Sequence, residues 1–254
     1  MKIWNLRGQQ NSISEALQVS LPEHAVVSFV GAGGKTSLIF AWARELTAEG
    51  KKVVVTTTTH MLHPAFAEDI YAGRAIIYNQ NYSVKPDEDF SHIDILLNEH
   101  RLLLLGTKDI ENERKIVAAP SEIMNYAVKV ADVILIEADG SRQMPLKWPK
   151  EHEPVVPEYT DLSICVAGLS SMGRPLDEAT YGAGHMPEAM SRLLIDEELI
   201  AAIVSSPDGG LKGTFGDYRV FLNQADTEEI QERAEYIQRL LAVRGIQSAW
   251  GCLH

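Results

Sequence analysis

Ala25-Val26-Val27-Ser28-Phe29-Val30, followed at once by Gly31-Ala32-Gly33-Gly34-Lys35-Thr36-Ser37, is the stretch that decides the fold. The first six residues are almost wholly apolar and read as a strand buried on both faces. Leu38, Ile39, Trp42, Ala43 and Leu46 then recur at helical spacing, and Gly50 supplies the left-handed residue that stops a helix. Between strand and helix, glycines let the backbone turn so that several N–H groups face one anion, and the helix start adds partial positive charge. Residues Gly31, Ala32, Gly33, Gly34, Lys35, Thr36 and Ser37 therefore read as a phosphate-binding loop, with Lys35 for the terminal phosphates and the Thr36 hydroxyl for Mg²⁺. With this chain's Gly, Lys, Ser and Thr content, G-x-x-G-K-[ST] is expected about 0.006 times by chance, which sets the match above coincidence.

Outward from the loop, Lys52 to Thr57 makes a second strand, completing strand, loop, helix and strand with a right-handed crossover expected. Ala75 to Tyr78, Leu102 to Leu105, Val133 to Glu137, Leu162 to Ala167 and Arg219 to Leu222 are further strands. Helices are predicted at about Pro120 to Ala131, Pro187 to Leu194, Asp196 to Val204 and Thr227 to Arg244. The expected fold is α/β: a mostly parallel sheet flanked by helices, a three-layer sandwich of the P-loop NTPase type, one nucleotide-binding domain over residues 1–254 with an extension at 1–24. Such sheets bind ligands beyond the carboxyl ends of their strands.

Three more segments leave the sheet at that end. Val133 to Ile136 runs into Glu137-Ala138-Asp139-Gly140, and two carboxylates two positions apart in extended chain share a face, so Glu137 and Asp139 are candidates for holding Mg²⁺ or polarising water. With Lys35 they form the candidate catalytic set, and with Thr36 the candidate metal set. Thr56-Thr57-Thr58-Thr59-His60 offers four hydroxyls and an imidazole, partly just good strand formers. Asn223-Gln224-Ala225-Asp226 is similar to the guanine-reading N-K-x-D with Gln in the Lys position; Asn223 and Asp226 are candidate nucleotide contacts, or Asp226 or Thr227 caps the last helix. N-x-x-D alone is expected about 0.4 times by chance, so its place at a strand end carries that reading.

Ser141 to Pro157 holds Pro145, Pro149, Pro154 and Pro157, which forbid a helix. Its Arg142, Lys147, Glu151 and His152, beside Lys150 and Glu153, make it a substrate or partner segment, and Lys212 in the glycine-rich turn after Pro207 is a further candidate. The 254 residues carry a formal charge of −12, with −3 in residues 1–127 and −9 in the remainder, which disfavours nucleic-acid binding. Two cysteines with no C-x-x-C, no signal-peptide pattern and no long apolar stretch give the expectation of a cytoplasmic protein that does not enter a membrane. Zinc spacing, G-x-S-x-G and H-E-x-x-H are missing from the chain.

Phe29 stands where the longer phosphate loop has glycine, and the shortened form resembles the loop of Mur-type ATP-dependent ligases. Over a wider span, VVSFVGAGGKTSLIF, KKVVVTTTTHM, VILIEADGSRQMPLKWPKEHEPVVPEYTDLSI, GGLKG and VFLNQAD resemble the YqeC-type selenium-dependent hydroxylase accessory proteins, from about Val26 to Asp226. The resemblance implies a role in maturing selenium-dependent molybdenum hydroxylases, with a hydroxylase client or the molybdopterin cofactor as partner. It also implies that Lys35, Thr36, Glu137, Asp139, Lys147, Glu151, His152 and Asp226 belong to the functional set. The expected activity is Mg²⁺-dependent binding and hydrolysis of ATP or GTP. The alternatives are a non-hydrolysing nucleotide or molybdopterin carrier, and a Mur-like ligase or a kinase.

Overall fold

The apolar runs become the centre of one large sheet. The computed structural model describes residues 2–4, 11–66, 71, 73–186 and 192–253. Its strands are β1 (Lys2–Trp4), β2 (Val26–Gly31), β3 (Val53–Thr57), β4 (His60–Leu62), β5 (Arg74–Tyr78), β6 (Leu102–Lys108), β7 (Lys115–Val117), β8 (Val133–Glu137), β9 (Leu146–Lys147), β10 (Leu162–Gly168), β11 (Thr180–Tyr181), β12 (Asp217–Asn223) and β13 (Gln247–Cys252). Its helices are α1 (Ile13–Ala16), α2 (Lys35–Ala48), α3 (Ser91–His100), α4 (Ser121–Val130), α5 (Leu176–Ala179), α6 (Glu197–Val204) and α7 (Glu228–Val243).

Among the described residues, eleven strands form one sheet in the order β1-β13-β12-β10-β2-β8-β3-β6-β7-β4, with β5 also on β6, while β9 and β11 make a separate two-stranded ribbon. From β13 to β5 the pairing is parallel; β1, β7 and β4 are antiparallel additions at the edges. This is the expected mixed α/β architecture with a mostly parallel sheet flanked by helices. The strands either side of α2 are not neighbours, however, because β8 lies between β2 and β3 and sets Glu137 opposite both Phe29 and Thr57. All five residues of β8 are buried, as its unbroken apolar sequence demands.

Three packed layers follow from strand alternation. Phe29, Val55, Leu135 and Ile164 face α2 through Leu38, Ile39, Trp42 and Leu46. On the other side, Val54, Leu103 and Ile134 meet Ile93 of α3 and Ile123 of α4, and further along the sheet Val220, Leu222 and Trp250 meet Ile200 of α6 and Ile237 of α7. Glu45 of α2 accepts from Ile13 N and Ser14 N at 2.8 and 3.0 Å, fastening α1 to the sandwich, while β1 closes one sheet edge.

The expected helices near 120–131, 196–204 and 227–244 are present as α4, α6 and α7, the last two capped by the side chains of Asp196 and Thr227. The helix expected over Pro187 to Leu194 falls mainly on residues 187–191, outside the described ones; Arg192 to Leu194 are not helical, and Leu194 bridges to Pro175. No described helix is long and apolar enough to cross a membrane.

Candidate functional site

The glycine loop sits where β2 ends and α2 begins, pressed from two sides. At Gly33, φ is +86° and a Cβ would meet Gly168 N at 2.4 Å and Pro145 O at 2.7 Å; at Gly34, φ is +117° and a Cβ would meet Asn223 Nδ2 at 2.3 Å. Only glycine satisfies both the dihedrals and the space. Asn223 Nδ2 donates to Gly33 O at 2.7 Å and its buried Oδ1 has no partner. Ala32 N donates to Val166 O at 2.9 Å. Gly34 caps α2 without a side-chain hydrogen bond, so the first-turn amides, those of Lys35, Thr36 and half-exposed Ser37, have no side-chain acceptor.

Lys35, the first residue of α2, is 3% exposed and turns back on the loop, donating to Gly31 O at 2.5 Å and lying 2.9 Å from Asp139 Oδ1. Asp139 Oδ2 accepts from Gly31 N at 3.0 Å and lies 3.2 Å from Lys147 Nζ, which is 3.1 Å from Glu153 and donates to Gly140 O at 2.6 Å. Charges of alternating sign thus run from loop to Pro-rich segment. Burial works against the Lys35 ammonium, but the carboxylates of Asp139 and Glu137 outweigh it and hold its pKa above the ordinary lysine value. Burial pushes the Glu137 carboxyl upward, against the pull of Lys35 and the Thr36 hydrogen bond. Cys165, next to Gly31, is driven by burial to about 12 and is no nucleophile at neutral pH.

Thr36 Oγ1 donates to Glu137 Oε2 at 2.8 Å. A hydroxyl and a carboxylate side by side at a strand end are hard oxygen donors suited to Mg²⁺, which takes one or two protein oxygens and completes its shell with phosphate and water. Asp139 stands apart from that pair, matched by two ammonium groups and an amide. No group of three His, Cys, Asp or Glu capable of holding a metal occurs among the described residues.

The threonine run divides. Thr56 and Thr57 bond the carbonyls of Leu105 and Glu137, and Thr58 bonds Val155 O, so these three hydroxyls tie strands and loops together. Thr59 Oγ1 is buried without a partner, and exposed His60 lies 3.7 Å from Asp109. Asp226 is exposed and accepts from Cys252 Sγ at 2.9 Å, while Thr227 caps α7. Arg142 is exposed with its Cζ 5.9 Å from the Tyr181 ring centroid. Lys212 donates to Lys150 O and Glu151 O, pinning the Pro-rich segment. Glu151 lines an adjoining groove with Trp148 and Lys212, and exposed His152 takes no part in the network around Lys35.

A family model described as YqeC protein matches residues 27–182, more than half of the chain. The chain belongs to the YqeC family. The Escherichia coli (strain K12) protein YqeC is 32% identical over 225 residues, an alignment covering 85% of this chain and 82% of that protein. The matched YqeC span takes in the glycine loop, Thr36, Glu137, Asp139, Lys147 and Tyr181, and leaves out Lys212, Asn223 and Asp226. Gly168 and Tyr181 belong to this constellation and carry no sequence signal of their own; only pairing of β10 with β2 and of β9 with β11 brings them to the loop. Glu153, named with the charged residues of the Pro-rich segment, joins the constellation through Lys147 at 3.1 Å.

Proposed function

We propose that the protein binds the Mg²⁺ complex of a nucleoside triphosphate, ATP or GTP, at the glycine loop and hydrolyses it, and that this cycle serves maturation of selenium-dependent molybdenum hydroxylases. The observation that carries the reading is the Thr36–Glu137 contact of 2.8 Å one residue along from a buried, charged Lys35 at an uncapped helix start. Lys35 keeps its proton and gives up Gly31 O for phosphate oxygens. Asp139 then retains Lys147 and Gly31 N as partners, so releasing Lys35 does not strand a buried carboxylate. Thr36 and Glu137 hold Mg²⁺, which neutralises charge gathering on the phosphates. Asn223 fixes the loop from below and Asp226 is the contact for the base. The hydroxylase role rests on the sequence resemblance alone.

The test is phosphate release from Mg²⁺-ATP and Mg²⁺-GTP, alone and with a selenium-dependent hydroxylase apoenzyme. Release that requires Mg²⁺ and is lost in Lys35→Ala and Glu137→Gln supports hydrolysis. Saturable binding with no release under any of these conditions contradicts it and leaves a carrier.

A further inference from the structure

Three cationic side chains converge on one aromatic ring beside the glycine loop. Lys150 Nζ lies 4.9 Å, Lys147 Nζ 5.2 Å and Arg142 Cζ 5.9 Å from the Tyr181 ring centroid. Lys147 is buried and committed to Asp139 and Glu153. The side-chain cations of Arg142 and Lys150 form no ion pair among the described residues, although Lys150 N donates to Glu153 Oε2 at 3.2 Å, in a chain whose net charge is −12. Glu153 and Asp139 answer Lys147, whereas the Arg142 and Lys150 side chains have only the ring face to offset their mutual repulsion, so an anion is the group that completes the cluster. The backbone is also strained for the purpose. Arg142 and its neighbour Gln143 have φ of 49° and 63°, a left-handed pair without glycine of the kind that clusters at ligand clamps. The ring itself is fixed by the register of Tyr181 with Lys147 and by Trp148 N donating to Tyr181 O at 2.8 Å.

The cluster is continuous with the loop through Lys147, Asp139 and Gly31 N. Beyond it, a groove of about 490 Å³ opens between the apolar Trp148, Pro149 and Met186 and the charged Glu151, Asp208 and Lys212, within the size range of small-molecule sites. We infer that Arg142 and Lys150, seated on the Tyr181 ring, anchor a second small-molecule substrate through a phosphate or carboxylate group, with the rest of that molecule in the mixed polar and apolar Trp148 groove. The inference rests on the nucleotide reading only for what occupies the neighbouring loop.

The experiment fills the loop first, with Mg²⁺ and a non-hydrolysable ATP or GTP analogue on the full chain, and then titrates inorganic pyrophosphate and, separately, citrate. At least one probe should bind saturably and lose about tenfold or more in affinity in Arg142→Ala/Lys150→Ala, with analogue affinity unchanged as the check on folding. Binding of pyrophosphate alone assigns a phosphate-bearing substrate, and of citrate alone a carboxylate. If the double variant does not fold, Arg142→Gln and Lys150→Gln are each expected to weaken the probe. No binding of either probe, or binding indifferent to both residues, overturns the subsite. If the analogue itself fails to bind, the probes are titrated into Lys35→Ala: probe binding that still depends on Arg142 and Lys150 keeps the subsite while the nucleotide reading falls.

Discussion

At the residue scale, Glu137 accepts from Thr36 at 2.8 Å while Asp139, two residues on, lies 2.9 Å from Lys35 and 3.2 Å from Lys147. The alternation that puts Glu137 and Asp139 on one face holds only inside a strand, and β8 ends at Glu137. Ala138 N still bonds Phe29 O, after which Asp139 turns to Gly31 N and to two lysines, so one carboxylate meets Thr36 while the other balances cations. Lys35 and Thr36 were legible from the spacing inside the loop and Glu137 from its place at the end of an apolar strand; Lys147 as a counter-ion was not, because it reaches Asp139 only through the fold of the Pro-rich segment. Lys147→Met leaves two acidic groups short of a buried cation and should cost about 3 kcal/mol in urea unfolding. A loss within about 0.5 kcal/mol, the range of ordinary surface changes, would mean the pair adds nothing to stability. Glu137 titrates above its ordinary value near 4.5 in the folded chain. Between those two values the folded state binds more protons than the unfolded, so stability falls as pH rises through that window. Glu137→Gln removes the fall: it should melt above the wild type at neutral pH, with the difference vanishing below about pH 4.5. A variant that melts lower at neutral pH would show that the ionised carboxylate is favoured there.

At the element scale, what could be read was what periodicity and caps encode. Val26–Gly31, Val133–Glu137 and the Thr227-capped α7 announce themselves by apolar runs and end signals. By contrast β13, Gln-Ser-Ala-Trp-Gly-Cys, has no β-branched residue and is a strand because β12 pairs with it. In the same way α3 buries only Ile93 and Leu97, a stripe too thin to stand out from its neighbours. The insertion of β8 between β2 and β3 is topological and has no local signature, yet it is what brings Glu137 to Thr36. Helix α1 shows how weakly encoded elements are held: its four residues depend on the Ser12 cap, on Glu45 and on the Trp42 Nε1 bond to Ser14 Oγ at 2.8 Å. Glu45→Ala should therefore cost about 1–2 kcal/mol and speed amide exchange at Ile13 and Ser14, leaving α2 protected. Unchanged exchange at those two amides would mean that α1 is held by its apolar contacts alone.

At the scale of the whole molecule, charge distribution and topology converge on one edge of the sheet. The more acidic half, residues 128–254, nonetheless supplies Arg142, Lys147 and Lys150, while Lys35 comes from the nearly neutral half. Composition alone could say only that nucleic acid was a poor partner; the parallel order of β10, β2 and β8 gathers these cations around the glycine loop. The expected base contact of Asn223 and Asp226 was the least legible, because a strand-end Asn can serve the loop as well as a ligand, and Asn223 bonds Gly33 O. In the proposed function, the loop takes a Mg²⁺-bound nucleoside triphosphate through Lys35. Calorimetric titration of ATP and of GTP, with and without Mg²⁺, into the wild type and Lys35→Ala addresses it most directly. One saturable site that needs Mg²⁺ and is lost in a folded Lys35→Ala is the predicted result; no binding of either nucleotide, or binding indifferent to Lys35, would contradict it.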